Sequence, residues 1–137
     1  MLEQVLMITG ASIFGLLGLM HLLYTFFTHK FNAFDPAVTQ AMKNTSPVLT
    51  KETSMWAAWV GFNASHSLGA LLVAAFYIPM AASHMALIQQ SLWFSLLPSI
   101  TGVSYLILAK KYWFKIPFVG ISISTICFVL AFVLINF

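Results

Sequence analysis

Apolar residues fall along this chain in four long blocks, at roughly residues 5–28, 55–79, 87–109 and 117–137, and every charged side chain lies outside them. Each block reaches the roughly 20 residues that a helix needs to cross the hydrocarbon core of a bilayer. The expected fold class is therefore all-α: a polytopic membrane protein, a single domain over residues 1–137, built as a four-transmembrane-helix bundle. The first block has no basic segment before it and is long enough to span, so it reads as a retained span and not as a cleaved signal peptide.

The polar connections differ in length and content. Residues 29–54 form a loop, residues 80–86 a tight turn after Pro79, and residues 110–116 a short basic turn. Within the first loop, Asp35-Pro36 is a helix start, with aspartate as N-cap and proline at the first helical position. Ala37, Val38, Ala41 and Met42 follow at helical spacing, which predicts a short interfacial helix at about 36–43, ended by Asn44-Thr45-Ser46-Pro47. Thr50 is the expected cap of the second membrane helix.

Charge then orients the chain. All six basic residues are lysines, and all lie in the first and third connections. Lysine in short loops marks the cytoplasmic side. Loops 29–54 and 110–116 are thus expected in the cytoplasm, with both termini outside (N-out/C-out). Trp56, Trp59, Tyr112 and Trp113 agree, as amphipathic rings at the cytoplasmic interface, with Tyr77 and Trp93 near the outer one.

Composition narrows the function. The chain is 61% hydrophobic and 7% charged, against about 25% charged in soluble domains, so a water-soluble globule is excluded. A net charge of +3 without arginine gives no basic stripe for nucleic acid, but suits lysines facing anionic lipid headgroups. The single cysteine, Cys127, rules out an intrachain disulfide, a CxxC redox motif and a cysteine zinc site. No acid or lysine lies within a span, which argues against proton-coupled exporters and antiporters that need a membrane carboxylate.

Small residues are the expected packing faces, because lipid gives apolar helices little reason to associate unless their backbones approach closely. Ala57, Gly61, Ser65 and Gly69 recur every four residues on the second helix. Gly10, Phe14 and Gly18 form a stripe on the first, beside Ala11 and Gly15. Pro98 is expected to kink the third helix, with Ser99, Thr101 and Gly102 re-satisfying the freed carbonyl.

The chemistry that remains within the spans is histidine with neutral polar groups. His21 is about seven residues, or about 10 Å, from the inner end of the first helix. His66 is about 16 Å into the second, and Asn63, three residues earlier, shares its face. Polar side chains in lipid turn inward. Four inward faces would gather His21, Tyr24, Asn63, His66, Tyr105 and Ser99 around one site in the cytoplasmic half.

Three readings of this site stay open. It is a hydrogen-bonded network that only joins helices; or it is a binding or transport site for a small or lipophilic ligand, anchored by His21, Asn63 and His66; or His21 and His66 are the axial ligands of a haem b. Against haem stand a depth difference of about 6 Å and the absence of arginine for the propionates. A metal site from two histidines and an asparagine lacks a carboxylate or thiolate. The leading expectation is a ligand-binding or transporting bundle with no catalytic residue and no cofactor. Its rivals are a bis-histidine haem b electron-transfer protein and an accessory or assembly subunit of a larger membrane complex. The expected partners are the bilayer and further copies or a membrane complex.

Two motifs carry a resemblance: His21-Leu22-Leu23-Tyr24-Thr25-Phe26, and the run Trp56-Ala57-Ala58-Trp59-Val60-Gly61-Phe62-Asn63-Ala64-Ser65-His66. Together they resemble a group of small uncharacterised four-helix bacterial integral membrane proteins, over roughly the first 70 residues. The resemblance implies a bacterial inner-membrane location and no particular activity.

Overall fold

The computed structural model describes residues 1–137 and is entirely helical: α1 (Leu2–Phe27), α2 (Pro36–Asn44), α3 (Met55–Ser83), α4 (Met85–Gln90), α5 (Leu92–Tyr112) and α6 (Lys115–Asn136). Helices α1, α3, α5 and α6 are long and apolar enough to cross a membrane. This is the architecture of a multi-pass membrane protein.

Several boundaries differ from the sequence reading: α5 runs on to Tyr112 and α6 begins at Lys115, which shortens the expected turn at 110–116 to two residues. Helix α3 does not end at Pro79 but runs on to Ser83. A proline inside a membrane helix costs only one backbone donor, and neighbouring groups can absorb that loss. The third apolar block is broken at Ser91, which separates α4 from α5. The Ser91 hydroxyl accepts from the Phe94 N–H, and its carbonyl accepts from the Ser95 N–H at 3.1 Å, so a new helix starts there. The cap of α3 is Ser54, whose Oγ accepts from the Ala57 N–H at 3.1 Å. Thr50 instead closes a local turn by accepting from the Glu52 N–H.

The chain divides into two compact units, Met1–Leu17 with Ala70–Phe137, and Gly18–Gly69. In the first unit, segments of all four long helices meet. Met7, Ala11 and Phe14 of α1, Ala70, Tyr77 and Ala81 of α3, and Ile121, Phe128 and Ala131 of α6 form the core, with Tyr105 and Leu106 of α5 packed against it. The Phe14 ring lies 5.1 Å from that of Tyr105 and 5.7 Å from that of Phe128. Close backbone approach comes from glycine. A Cβ on Gly10 would sit 2.8 Å from the Phe128 ring and 3.1 Å from the Ser124 carbonyl oxygen. The Ser124 hydroxyl donates to the Gly10 carbonyl across this contact. Gly102 plays the same part on α5, where a Cβ would meet Thr125 Oγ1 at 2.9 Å.

The small-residue stripe of α3 is not a packing face within the chain. Gly61 and Ser65 are exposed, and a Cβ at Gly61 would meet nothing within 4 Å. The buried face is Ala70, Ala74, Tyr77 and Ala81, about half a turn away at 3.6 residues per turn. Gly18 of α1 is buried and Gly69 half-buried.

Pro98 is buried within α5 and removes the N–H that would bond the Phe94 carbonyl. The donor that replaces it is not Ser99, Thr101 or Gly102 but the Tyr77 hydroxyl of α3, at 3.1 Å. Thr101 Oγ1 donates to the Leu97 carbonyl instead. Tyr77→Phe should therefore lower stability by about 0.6–1.7 kcal/mol, the range of interhelical bonds in membrane proteins, as read by thermal unfolding in detergent.

The second unit holds the end of α1, the loop with α2, and the start of α3. Asp35 caps α2, its Oδ1 accepting from the Ala37 N–H at 2.8 Å, with Pro36 at the first helical position. Thr39 is buried, and its Oγ1 accepts from the Ala33 N–H. The Met55 N–H donates to the Thr45 carbonyl at 2.8 Å, tying the end of α2 to the start of α3.

Candidate functional site: a His–Asn pair behind an aromatic cleft

Within the second unit, α1 presents His21 and α3 presents Asn63. Asn63 Nδ2 donates to the Trp59 carbonyl, one turn back, at 2.8 Å. Only the amide nitrogen can donate there, so the amide oxygen must face the other way. It faces His21 Nε2, 2.9 Å away. A carbonyl oxygen accepts only, so Nε2 carries the proton and donates.

His66, one turn beyond Asn63, sets its ring edge-on to that of His21, with centroids 5.4 Å apart. On the other side Phe31 lies 4.4 Å from the His21 ring. Phe31 belongs to the loop, and its carbonyl accepts from the Trp59 indole N–H at 3.1 Å. Two contacts thus hold α3 here: the His21–Asn63 bond ties it to α1, and the Phe31–Trp59 bond ties it to the loop that follows α1. Thr25 Oγ1 donates to the His21 carbonyl and adds a polar hydroxyl one turn along α1.

Beside this pair is an open cleft of about 320 Å³. Phe26, Phe31, Trp56 and Trp59 form its aromatic walls, and Thr25, Thr28, Asn32 and Asn63 its neutral polar groups. His29 and Lys43 also line it, and no acidic side chain does. Lys43 comes from the end of α2, with its ammonium 5.5 Å from the Trp56 ring centroid, within reach of a cation–π contact. No carboxylate is within ion-pair distance of it.

The expected residues divide. His21, Asn63 and His66 come together, but Asn63 alone of the three lines the cleft, with His21 bonded behind it. Tyr24 is turned to Lys30, whose ammonium lies 3.9 Å from its ring centroid. Tyr105 and Ser99 belong to the other unit, where Tyr105 packs on Phe14 and Trp113, and the buried Ser99 hydroxyl has no hydrogen-bond partner. The residues not counted as a site in the sequence are Lys43, Phe31, Asn32, His29 and the two tryptophans. Trp56 and Trp59 read there as interfacial anchors, and nothing linked Lys43 to Trp56.

The haem reading fits this geometry poorly. An axial pair must face each other across a macrocycle through unprotonated nitrogens. Here the rings meet edge to face, and His21 Nε2 is committed to Asn63.

Comparison with known proteins leaves the site to be read from its own geometry: no protein-family model matches the chain, and no curated protein and no solved structure matches it. The likeness to small bacterial four-helix proteins rests on the two motifs alone.

Proposed function

We propose that the chain is a small membrane protein that binds, and in its cellular setting carries or presents, a small lipophilic molecule, with the aromatic cleft as its site and the His21–Asn63–His66 group as its polar backing. The observation that carries this reading is Asn63. Its amide is held on one side by Trp59 and on the other by His21, and the same residue forms part of the cleft wall. Binding sites are typically concave, mostly apolar and supplied with a few fixed polar groups, and 320 Å³ is within their size range. A fixed amide at the wall discriminates among ligands, because a mismatched partner leaves a desolvated group unpaired.

Native mass spectrometry of the detergent-released protein tests this. The wild type is expected to carry a small molecule at near one per chain, which Asn63→Ala and His66→Ala lose while remaining membrane-inserted. A wild type without any bound molecule, or variants that retain it fully, would contradict the reading. An accessory-subunit role is favoured by one observation, the exposed Gly61 and Ser65 on α3, a face free for a second copy or a partner helix. That role predicts that Gly61→Leu disrupts assembly and that His66→Ala does not.

The lysine distribution supports a cytoplasmic position for loops 29–54 and 110–116, with both termini outside, and the resemblance of the two motifs implies a bacterial inner membrane. In a Cys127→Ser background, Ala82→Cys should react with an impermeant thiol reagent added outside intact cells, and Lys43→Cys should not. The reverse pattern would invert the orientation and move the mouth of the cleft to the other face.

A further inference from the structure

The charge of the cleft points to the class of ligand, and this inference rests on the binding reading above. Lys43 is the one full-time cation on its lining, and no acidic side chain faces it. Its ammonium contacts the face of Trp56 and makes no ion pair. Of the five acidic and basic residues in the loop from 29 to 54, Asp35 is committed to capping α2, at 2.8 Å from the Ala37 N–H. Trp59 has already donated its indole N–H to Phe31, so it offers the cleft a π surface and no donor. The lining therefore combines aromatic walls, neutral hydroxyl, amide and imidazole groups, and one ammonium that is not ion-paired. A cationic ligand would meet Lys43 with repulsion. A neutral ligand could accept from it only in an ordinary, weaker hydrogen bond. An anionic head accepts from it in a charge-assisted bond, the strong class of hydrogen bond, while the attached apolar body lies against Phe31, Trp56 and Trp59.

We propose that the cleft binds an amphiphile with a single anionic head, a carboxylate or a phosphate, the head on Lys43 and the apolar body between the tryptophans. Asn63 then takes a polar group of the body or a water at the inner end.

The test uses the full chain in phosphatidylcholine vesicles at about pH 9, where the carboxyl of a fatty acid is ionised and lysine is still charged. The probes are dibromostearic acid and its methyl ester, which quench nearby indoles and share one apolar body. Trp93→Phe with Trp113→Phe leaves only the cleft tryptophans to report. Because Trp113 packs on Tyr105, thermal stabilisation of the unsubstituted chain by the two probes is measured in parallel. The expected result is saturable quenching by the acid at a mole fraction at least tenfold lower than by the ester. Lys43→Gln should bring the acid to the level of the ester, and Lys43→Arg should preserve the difference. Acid and ester binding equally, with both lost in Asn63→Ala, would overturn the anionic-head proposal and leave the binding reading standing. No saturable binding of either probe would overturn both. Dibrominated phosphatidylglycerol identifies the source of the head: quenching equal to that of the acid supports a phospholipid headgroup, and quenching by the acid alone supports a free amphiphilic acid.

Discussion

Gly10→Val is expected to destabilise the protein by about 1–3 kcal/mol or more, the usual cost of forcing extra atoms into a packed interior. The new side chain would begin at a Cβ 2.8 Å from the Phe128 ring, and its second neighbour is the Ser124 carbonyl at 3.1 Å, a backbone atom that cannot rotate away. Relief requires α1 and α6 to separate, which also breaks the bond from the Ser124 hydroxyl to the Gly10 carbonyl. The matched control is Gly61→Val, where a Cβ meets nothing within 4 Å. Thermal unfolding of the two variants in one detergent should show a large loss for the first and almost none for the second. A loss at Gly61 comparable to that at Gly10 would mean that this face of α3 is covered by another chain.

Asn63→Ala is expected to separate stability from binding. An interhelical hydrogen bond in a membrane protein averages about 0.6 kcal/mol, and the half-buried His21 N–H left behind adds at most about 1–3 kcal/mol. The variant should insert normally and unfold at a slightly lower temperature, because these amounts are small beside the stability of a folded domain, about 5–15 kcal/mol. Occupancy of the cleft, in contrast, should fall by at least tenfold, since Asn63 is part of its wall and orients the ring behind it. If the network serves only to join helices, the ranking reverses, and the variant loses stability while bound molecules are unaffected. Asn63→Gln makes the comparison sharper. It retains the amide but displaces it by one methylene, so it should keep most of the stability and little of the occupancy.

Depth was legible in the sequence, and azimuth was not. The four long helices followed from the absence of charge over each span, and α2 from Asp35-Pro36, a signal local enough to survive any tertiary context. His21 and Asn63 were expected at one depth from rise per residue alone, and they form a bond of 2.9 Å. What failed was the choice of faces. Only about 28–33% of each spanning window is buried within the protein, and the exposed faces carry large apolar side chains such as Leu16, Leu72, Ile107 and Ile126. Hydropathy therefore cannot distinguish a side facing lipid from a side facing a neighbour. The four-residue spacing of Gly61, Ser65 and Gly69 looked like a packing face for that reason, while the real one used Ala70, Ala74, Tyr77 and Ala81.

The cleft was hidden for a different reason. Lys43 reaches Trp56 only because α2 ends where the Thr45 carbonyl accepts from the Met55 N–H, and Phe31 reaches His21 only because its carbonyl is held by Trp59. Both depend on how the loop folds back on the helices, which no periodicity records. Likewise, the donor to the carbonyl freed by Pro98 comes from another helix, 17 residues away in sequence from Phe94. Local pattern pointed to the hydroxyls following the proline, but Thr101 was already committed to Leu97.

The measurement that bears most directly on the central claim is photo-crosslinking in living cells with Val60→benzoylphenylalanine, a position on the cleft wall, against the same residue placed at Gly61, which faces open space. The account predicts that position 60 captures one class of small amphiphilic molecule, identifiable by mass spectrometry of the crosslinked peptide, and that position 61 captures bulk phospholipid or a neighbouring helix. Identical adducts at both positions, reflecting only the surrounding bilayer, would contradict a ligand site in the cleft and leave the His21–Asn63 pair as a joint between helices.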